Sequence, residues 1–209
     1  MMKLPFTLVQ NLLTLLIIPF LAGIVGIAAV PAVALFGELR GALSNGEYWV
    51  DTTATAISLG MSVMLWGVTL VVMCGILGGL LRPRLAPGRY PLESFLTIQW
   101  AWSMVFHKIA LFFLPHLVPS FIGNLYYRLS GAKIGKGAQI NSPNVNDAGS
   151  VTIGDRVVIG GHATINAHLT EKGELVMAPV VIGDGALIGT GSIVQPGCTI
   201  GEGAVVASR

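Results

Sequence analysis

Two hydrophobic rhythms divide this chain. From Ile182 onward an aliphatic residue returns every six positions, at Ile182, Ile188, Val194, Ile200 and Val206, in the text IGDGAL, IGTGSI, VQPGCT and IGEGAV. Ile134 and Ile140 begin the same pattern, and Ile153, Ile159 and Ile165 continue it. A period of six fits neither the helical 3.6 nor an alternating strand. It predicts a parallel β-helix, in which each hexad lays down one flat face and a corner. The aliphatics then stack inward as a dry column, while the glycines and Ala138, Ala163, Ala186 and Ala204 fit the tight corners. With three hexads to a coil, Ile134 to Val206 supplies about four turns.

Two irregularities interrupt the repeat. The step from Ile140 to Ile153 is thirteen residues, one more than two hexads, and carries NSPNVNDAGS. The step from Ile165 to Ile182 is seventeen and includes Thr170, Glu171, Lys172, Gly173 and Glu174. Loops that break a repeat cluster on one face and often shape a binding site. The glycines of IGDGALIGTG are not a dinucleotide fingerprint, because another β hexad follows them where that fingerprint requires a helix.

The first half follows the other rhythm. Residues 12–36 hold no charge over 25 positions, and residues 54–81 hold none over 28. At 1.5 Å per residue the shorter run reaches ~37 Å, enough to cross a hydrocarbon core of ~30 Å. Composition agrees, with 53% hydrophobic and 11% charged residues and a mean hydropathy of +0.75. Ala32, Val33 and Ala34 resemble a signal cleavage site, but the run is too long for a signal core and a second span follows. Pro19 and Pro31 are expected to kink the first span.

Flanking charges give an orientation. Lys3 precedes the first span, and the connector at 37–53 carries Glu38, Arg40, Glu47 and Asp51. Arg82, Arg84 and Arg89 follow the second span. Positive charge on both outer ends predicts the amino terminus and the downstream chain on the cytoplasmic face of the membrane, with the loop outside. Residues 95–117 could be taken for a third span, but Lys108 near the centre costs ~2.5–3.5 kcal/mol there. Gln99, Ser103 and His107 recur at spacing four as a polar stripe, and Trp100 and Trp102 suit a headgroup boundary. An interfacial amphipathic helix ended by Pro115 and Pro119 accounts for these features better than a span. His107 and His116 then read as interfacial residues. The β-helix lies on the cytoplasmic side, against membrane lipid.

The net charge of +2 gives no argument for nucleic acid, and the arginines serve as topology signals. Cys74 and Cys198 suggest packing and no disulfide framework. No spacing of Cys, His or carboxylate suggests a zinc site, so no metal is expected. The predicted organisation is a two-span transmembrane hairpin at 1–90, an interfacial helix at 91–120 and a hexapeptide-repeat β-helix at 121–209. That β-helix is expected to be uncapped at its C-terminal end, where the sequence stops within a coil.

The stretch RYPLESFLTIQWAW, then VPSFIGNLYYRLSGAKIG, then the hexads with TINAHL, resembles the carboxy-terminal modules of nonribosomal-peptide-synthetase-like proteins, including the polylysine synthetases. The similarity is strongest over residues 89–201. More widely the chain resembles hexapeptide-repeat acyltransferases. That resemblance implies a left-handed coil, a homotrimer, and a catalytic histidine in a groove between subunits. Acyl transfer from a thioester to a hydroxyl or amine needs a base near neutral pKa within reach of the acceptor. The family motif places its histidine where His168 stands in TINAHL, with His162 one hexad earlier and Asn166 as a candidate substrate-orienting residue. Each also reads as a corner residue, and Asn166 as a turn residue. Glu171 and Glu174 are candidates to fix an imidazole tautomer, or are solvated. Asp155 and Asp184 in the IGD turns read as structural.

Two functions from different classes remain open. One is a membrane-anchored acyl- or aminoacyltransferase that binds no cofactor of its own and uses an acyl-CoA or carrier-protein thioester as co-substrate, with His168 as base. The other is a non-catalytic scaffold, an accessory subunit docked to other membrane proteins. Fold alone does not decide between them.

Overall fold

The computed structural model describes the backbone of residues 6–209 and the side chains from residue 15 onward; Lys3, one of the topology signals, lies outside this range. The chain divides into two compact units, residues 1–70 and 71–209, with the boundary inside its second long helix.

In the first unit, helix α1 (Phe6–Leu43) and the start of helix α2 (Tyr48–Leu81) follow one another across a four-residue connector. Both are long and apolar enough to cross a membrane. Their burial pattern inverts that of a soluble helix pair. Small residues Ala28, Ala32, Ala54 and Ser58 are buried, while Leu16, Ile27, Val30, Val33 and Leu59 face outward. Small residues at such a contact let helix backbones approach closely. Trp66 Nε1 donates to the Val25 carbonyl at 3.2 Å. The connector is fixed by Asp51, whose Oδ1 accepts from the Asn45 and Gly46 amides at 3.0 and 3.2 Å.

The second unit opens with the last turns of α2, then strand β1 (Gly88–Pro91) and helix α3 (Phe95–Ala110). Ser94 caps α3 by accepting from the Thr97 amide at 3.2 Å. The helix stops at Ala110, five residues before the first proline expected to end it. Pro115 instead sits in the first turn of a short helix α4 (Leu114–Leu117), where a missing N–H costs little. Helix α5 (Phe121–Leu129) is capped by Ser120, which accepts from the Ile122 and Gly123 amides.

Twelve strands follow, ten from the six-residue period and two from the step that interrupts it. In chain order these are β2 (Lys133–Ile134), β3 (Gln139–Ile140), β4 (Val151–Ile153), β5 (Val158–Ile159), β6 (Thr164–Ile165), β7 (His168–Glu171), β8 (Glu174–Met177), β9 (Val180–Ile182), β10 (Leu187–Ile188), β11 (Ile193–Val194), β12 (Thr199–Ile200) and β13 (Val205–Val206). One parallel sheet has the order β12-β9-β4-β2, a second β13-β10-β5-β3, and a third pairs β11 with β6. Ile134, Ile153, Ile182 and Ile200 are therefore in register on one face, and Ile140, Ile159, Ile188 and Val206 on the next. Val145 bridges to Ile165 and completes the third face with Val194. These are stacked parallel coils. Ile140, Ile153, Ile159, Ile165, Ile182 and Ile188 are all at most 2% exposed. Each such side chain contributes about 1.5–3 kcal/mol of burial.

The corners follow from chemistry as much as from space. Asp155 Oδ1 accepts from the Lys136 amide at 2.7 Å, and Asp184 Oδ1 from the Asp155 amide at 2.8 Å, so each IGD aspartate ties its coil to the preceding one. A Cβ on Gly154 would lie 2.3 Å from Asp184 Oδ1. Glycine is required there by the neighbouring coil. Helix α5 covers the first coil: Asn124 Nδ2 donates to the Ala138 carbonyl and Tyr127 Oη to that of Ser142, both at 2.9 Å.

The seventeen-residue step is a hairpin. Strands β7 and β8 pair antiparallel, and β1 adds to β8 in the same sense.

Candidate functional site

The thirteen-residue step and the hairpin meet at His168, the first residue of β7. Its Nδ1 lies 2.5 Å from Asp147 Oδ2. Asp147 belongs to the polar loop NSPNVNDAGS and takes a left-handed conformation (φ 56°) just before a 3-10 turn at Ala148–Ser150. Asp tolerates that region better than most residues. The loop is tied down around it. The Asn146 amide donates to the Ile165 carbonyl at 2.9 Å, Ser142 Oγ to that of Ala163 at 2.6 Å, and Asn146 Nδ2 to Asn166 Oδ1 at 2.7 Å.

The other carboxylate oxygen of Asp147 accepts from Trp100 Nε1 at 2.8 Å. The Trp100 ring also stands edge-on to the His168 imidazole, with centroids 4.7 Å apart at 62°. The Asp147 side chain is 3% exposed and that of His168 24%. A carboxylate can only accept, so His168 Nδ1 carries a hydrogen and the neutral imidazole keeps its lone pair on Nε2. One histidine nitrogen is thus committed to orientation and the other is left for chemistry.

His162 sits in an exposed left-handed corner, φ 57°. It and His168 are not brought together within the chain. Asn166 pairs with Asn146, beside the loop that carries Asp147. Glu171 and Glu174, candidates to fix an imidazole, instead hold Arg89 at 2.7 and 3.2 Å, so Arg89 is a clasp between β1 and the hairpin. Their hydrogen bonds raise the Arg89 pKa.

The polar stripe on α3 also departs from expectation. Ser103 and His107 are buried and Lys108 is exposed. His107 Nδ1 lies 2.8 Å from the Tyr126 hydroxyl on α5, because the polar side of α3 packs against a phenol rather than water. Burial lowers the His107 pKa to about 4 and raises that of Tyr126, keeping both neutral. Asp147 and Trp100 are the members of this arrangement that no sequence motif marks. The available signal was that Asp147 is the one acidic residue in the loop that breaks the repeat.

Among the described residues no three His, Cys, Asp or Glu side chains group as metal ligands. Behind Asp147 and Trp100 lies a cavity of about 280 Å³, bounded by the end of α2, α3, α5 and the polar loop.

Residues 179–209 match the family described as bacterial transferase hexapeptide (six repeats). The crystal structure of serine acetyltransferase isoform 3 from Entamoeba histolytica, in complex with cysteine, aligns over 84% of this chain and 64% of its own, at 14% identity and TM-score 0.30. This chain therefore spans less than two thirds of that protein. Serine acetyltransferase 1 from the same organism, in complex with L-cysteine, aligns over 83% and 74% at 14% identity and TM-score 0.18. No curated protein matches. The parallel coils, together with the match over residues 179–209, define a hexapeptide-repeat domain.

Proposed function

We propose that this chain is a membrane-anchored acyl- or aminoacyltransferase in which His168 is the general base. The observation that carries this reading is the His168–Asp147–Trp100 arrangement. It presents Nε2 as the free basic nitrogen, with its tautomer fixed from behind. Nε2 takes the proton from an acceptor hydroxyl or amine as the acceptor oxygen or nitrogen attacks the carbonyl of a thioester. The tetrahedral intermediate collapses, the carbon–sulfur bond breaks, and the departing thiolate recovers the proton from the His168 imidazolium. The acyl group ends on the acceptor and a free thiol is released, without a metal. Positioned general bases contribute about 10²–10⁴ in rate.

The donor in this reading is acyl-CoA or a carrier-protein thioester. The resemblance of residues 89–201 to nonribosomal-peptide-synthetase-like modules favours an aminoacyl group. The wider resemblance to hexapeptide-repeat acyltransferases supports a left-handed coil and a homotrimer, with His162 and Asn166 contributing to the acceptor groove. Helix α1 and α2 anchor the chain in a bacterial inner membrane, with the β-helix on the cytoplasmic side.

The test is thiol release from acyl-CoA by the full chain in detergent, across a panel of hydroxyl and amine acceptors. His168→Ala should abolish turnover and leave the circular dichroism spectrum unchanged. Retained turnover in that variant excludes the role. Stoichiometric recovery with other membrane proteins and no thiol release would favour the scaffold instead.

A further inference from the structure

The cavity behind Asp147 is lined by groups that the acyl-transfer reading does not use. Arg82 directly follows the last residue of α2 and has its guanidinium lodged between two glycine backbones. A Cβ on Gly149 would lie 1.4 Å from its Nη1, and one on Gly131 2.3 Å from its Cζ. Such seating fixes the cation in place. Among the described residues, however, no carboxylate or hydrogen-bond acceptor engages the Arg82 side chain, whereas Arg89 holds two glutamates. Asp147 lines the same cavity, but its two oxygens are taken by His168 and Trp100.

His107 supplies the second unmet demand. It lines the cavity, is 6% exposed, and its Nε2 is buried without a partner among the described residues. Tyr126 remains a protonated phenol, which can donate to His107 Nδ1 and leave the imidazole hydrogen on Nε2. A buried N–H without an acceptor is unfavourable unless something fills the site. Arg84 stands on the same wall as Arg82, and Cys74 and Gly78 make the α2 side apolar. A cation, an orphaned donor and an apolar wall call for an occupant with negatively charged acceptor oxygens and an apolar stem. At ~30 Å³ per water the space holds about nine waters, enough for a headgroup but not for a lipid's chains.

We propose that this cavity binds the phosphate headgroup of an acidic membrane lipid, with Arg82 and His107 Nε2 donating to the phosphate oxygens. The lipid as source rests on the reading of α2 as a membrane span; the anion site itself does not. Hydrogen bonds from His168 and Trp100 stabilise the Asp147 carboxylate without cancelling its charge, so the Arg82 guanidinium is what offsets the repulsion between that carboxylate and a bound phosphate. Occupancy would place a phosphate beside the carboxylate that orients His168.

The test uses the full chain in a zwitterionic detergent, with tryptophan fluorescence and thermal unfolding as readouts, so that it does not depend on turnover. Dioctanoyl phosphatidate should bind saturably and raise Tm. Dioctanoyl phosphatidylcholine should do so at least tenfold more weakly. Arg82→Gln should weaken phosphatidate binding at least tenfold. If that variant does not fold, Arg82→Lys replaces it and should still weaken binding, since a lysine point charge cannot reproduce a bidentate fork. Equal binding of the two lipids, or an unchanged phosphatidate affinity in both variants, overturns the proposal. Saturable binding of inorganic phosphate with the same Arg82 dependence, and none of phosphatidate, overturns the lipid assignment.

Discussion

Asp147→Asn is the sharpest test of how the site works, because it keeps the shape and removes the charge. In the proposed reaction His168 becomes an imidazolium at the transition state, with its Nδ1 2.5 Å from a carboxylate oxygen that is 3% exposed. Taking ~4 Å between charge centres and an effective dielectric of ~20, that attraction is about 4 kcal/mol. At about 1.4 kcal/mol per decade, this corresponds to nearly a thousandfold in rate. The amide retains one oxygen that can still accept from Nδ1, but its NH2 then faces the Trp100 Nε1–H, so only part of the orientation survives. We therefore expect kcat to fall about a hundred- to thousandfold, with KM nearly unchanged, because the charge pair forms only as the proton moves. The assay is thiol release on whichever acceptor supports turnover, with circular dichroism confirming the fold. A kcat within threefold of the original would refute the argument, as would a loss confined to KM.

Further expectations follow from the same geometry. Trp100→Phe keeps an aromatic ring but removes the donor to Asp147 Oδ1; it should lower kcat about tenfold and cost roughly 1.5–3 kcal/mol, read as a lower Tm. Gly79→Ala would place a Cβ 2.0 Å from the Leu129 carbonyl oxygen, so α2 and α5 must separate; a loss of about 1–3 kcal/mol is expected by thermal unfolding, against little change for Gly60→Ala, which has open space. His107 has a folded pKa of about 4 against ~6.5 unfolded, so the unfolded chain binds the extra proton between these values. Stability should therefore fall as pH drops from 6.5 towards 4, by up to about 3 kcal/mol, and His107→Gln should remove that component in a pH series of denaturant unfolding curves.

The coils were legible because six-residue spacing is local. Each inward isoleucine is read from its neighbours, and stacking follows automatically. Val145 is not marked by the period because the step before it shortens to five residues, yet it closes the third face through its bridge to Ile165. The catalytic candidate was legible at His168 but not at its partners. Asp147 lies twenty-one positions away and Trp100 forty-seven positions before that, so no periodicity links them. Trp100 and His107 lie on a helix whose own pattern says nothing of the elements packed against it. A polar stripe on an isolated helix implies water, and Tyr126 on α5 supplied a different answer.

The polar loop shows why the two breaks in the repeat belong together. Within ten residues it gives Val145 to the third face, Ser142 to Tyr127 of α5, Asn146 to Asn166, and Asp147 to His168 and Trp100. An ordinary hexad could not do this, since its polar atoms are consumed in pairing with adjacent coils. The insertion frees a carboxylate from the ladder while its flanks remain in it. The hairpin that lengthens the next coil sets His168 at the height where that carboxylate waits. The left-handed Asp147 is therefore held by bonds made for the fold, and the imidazole needs no reorganisation to reach its working orientation. On this argument Asn146→Ala, which removes a side-chain tether but leaves the proposed base intact, should lower kcat; because it also frees Asn166, a rise in the acceptor KM is expected with it.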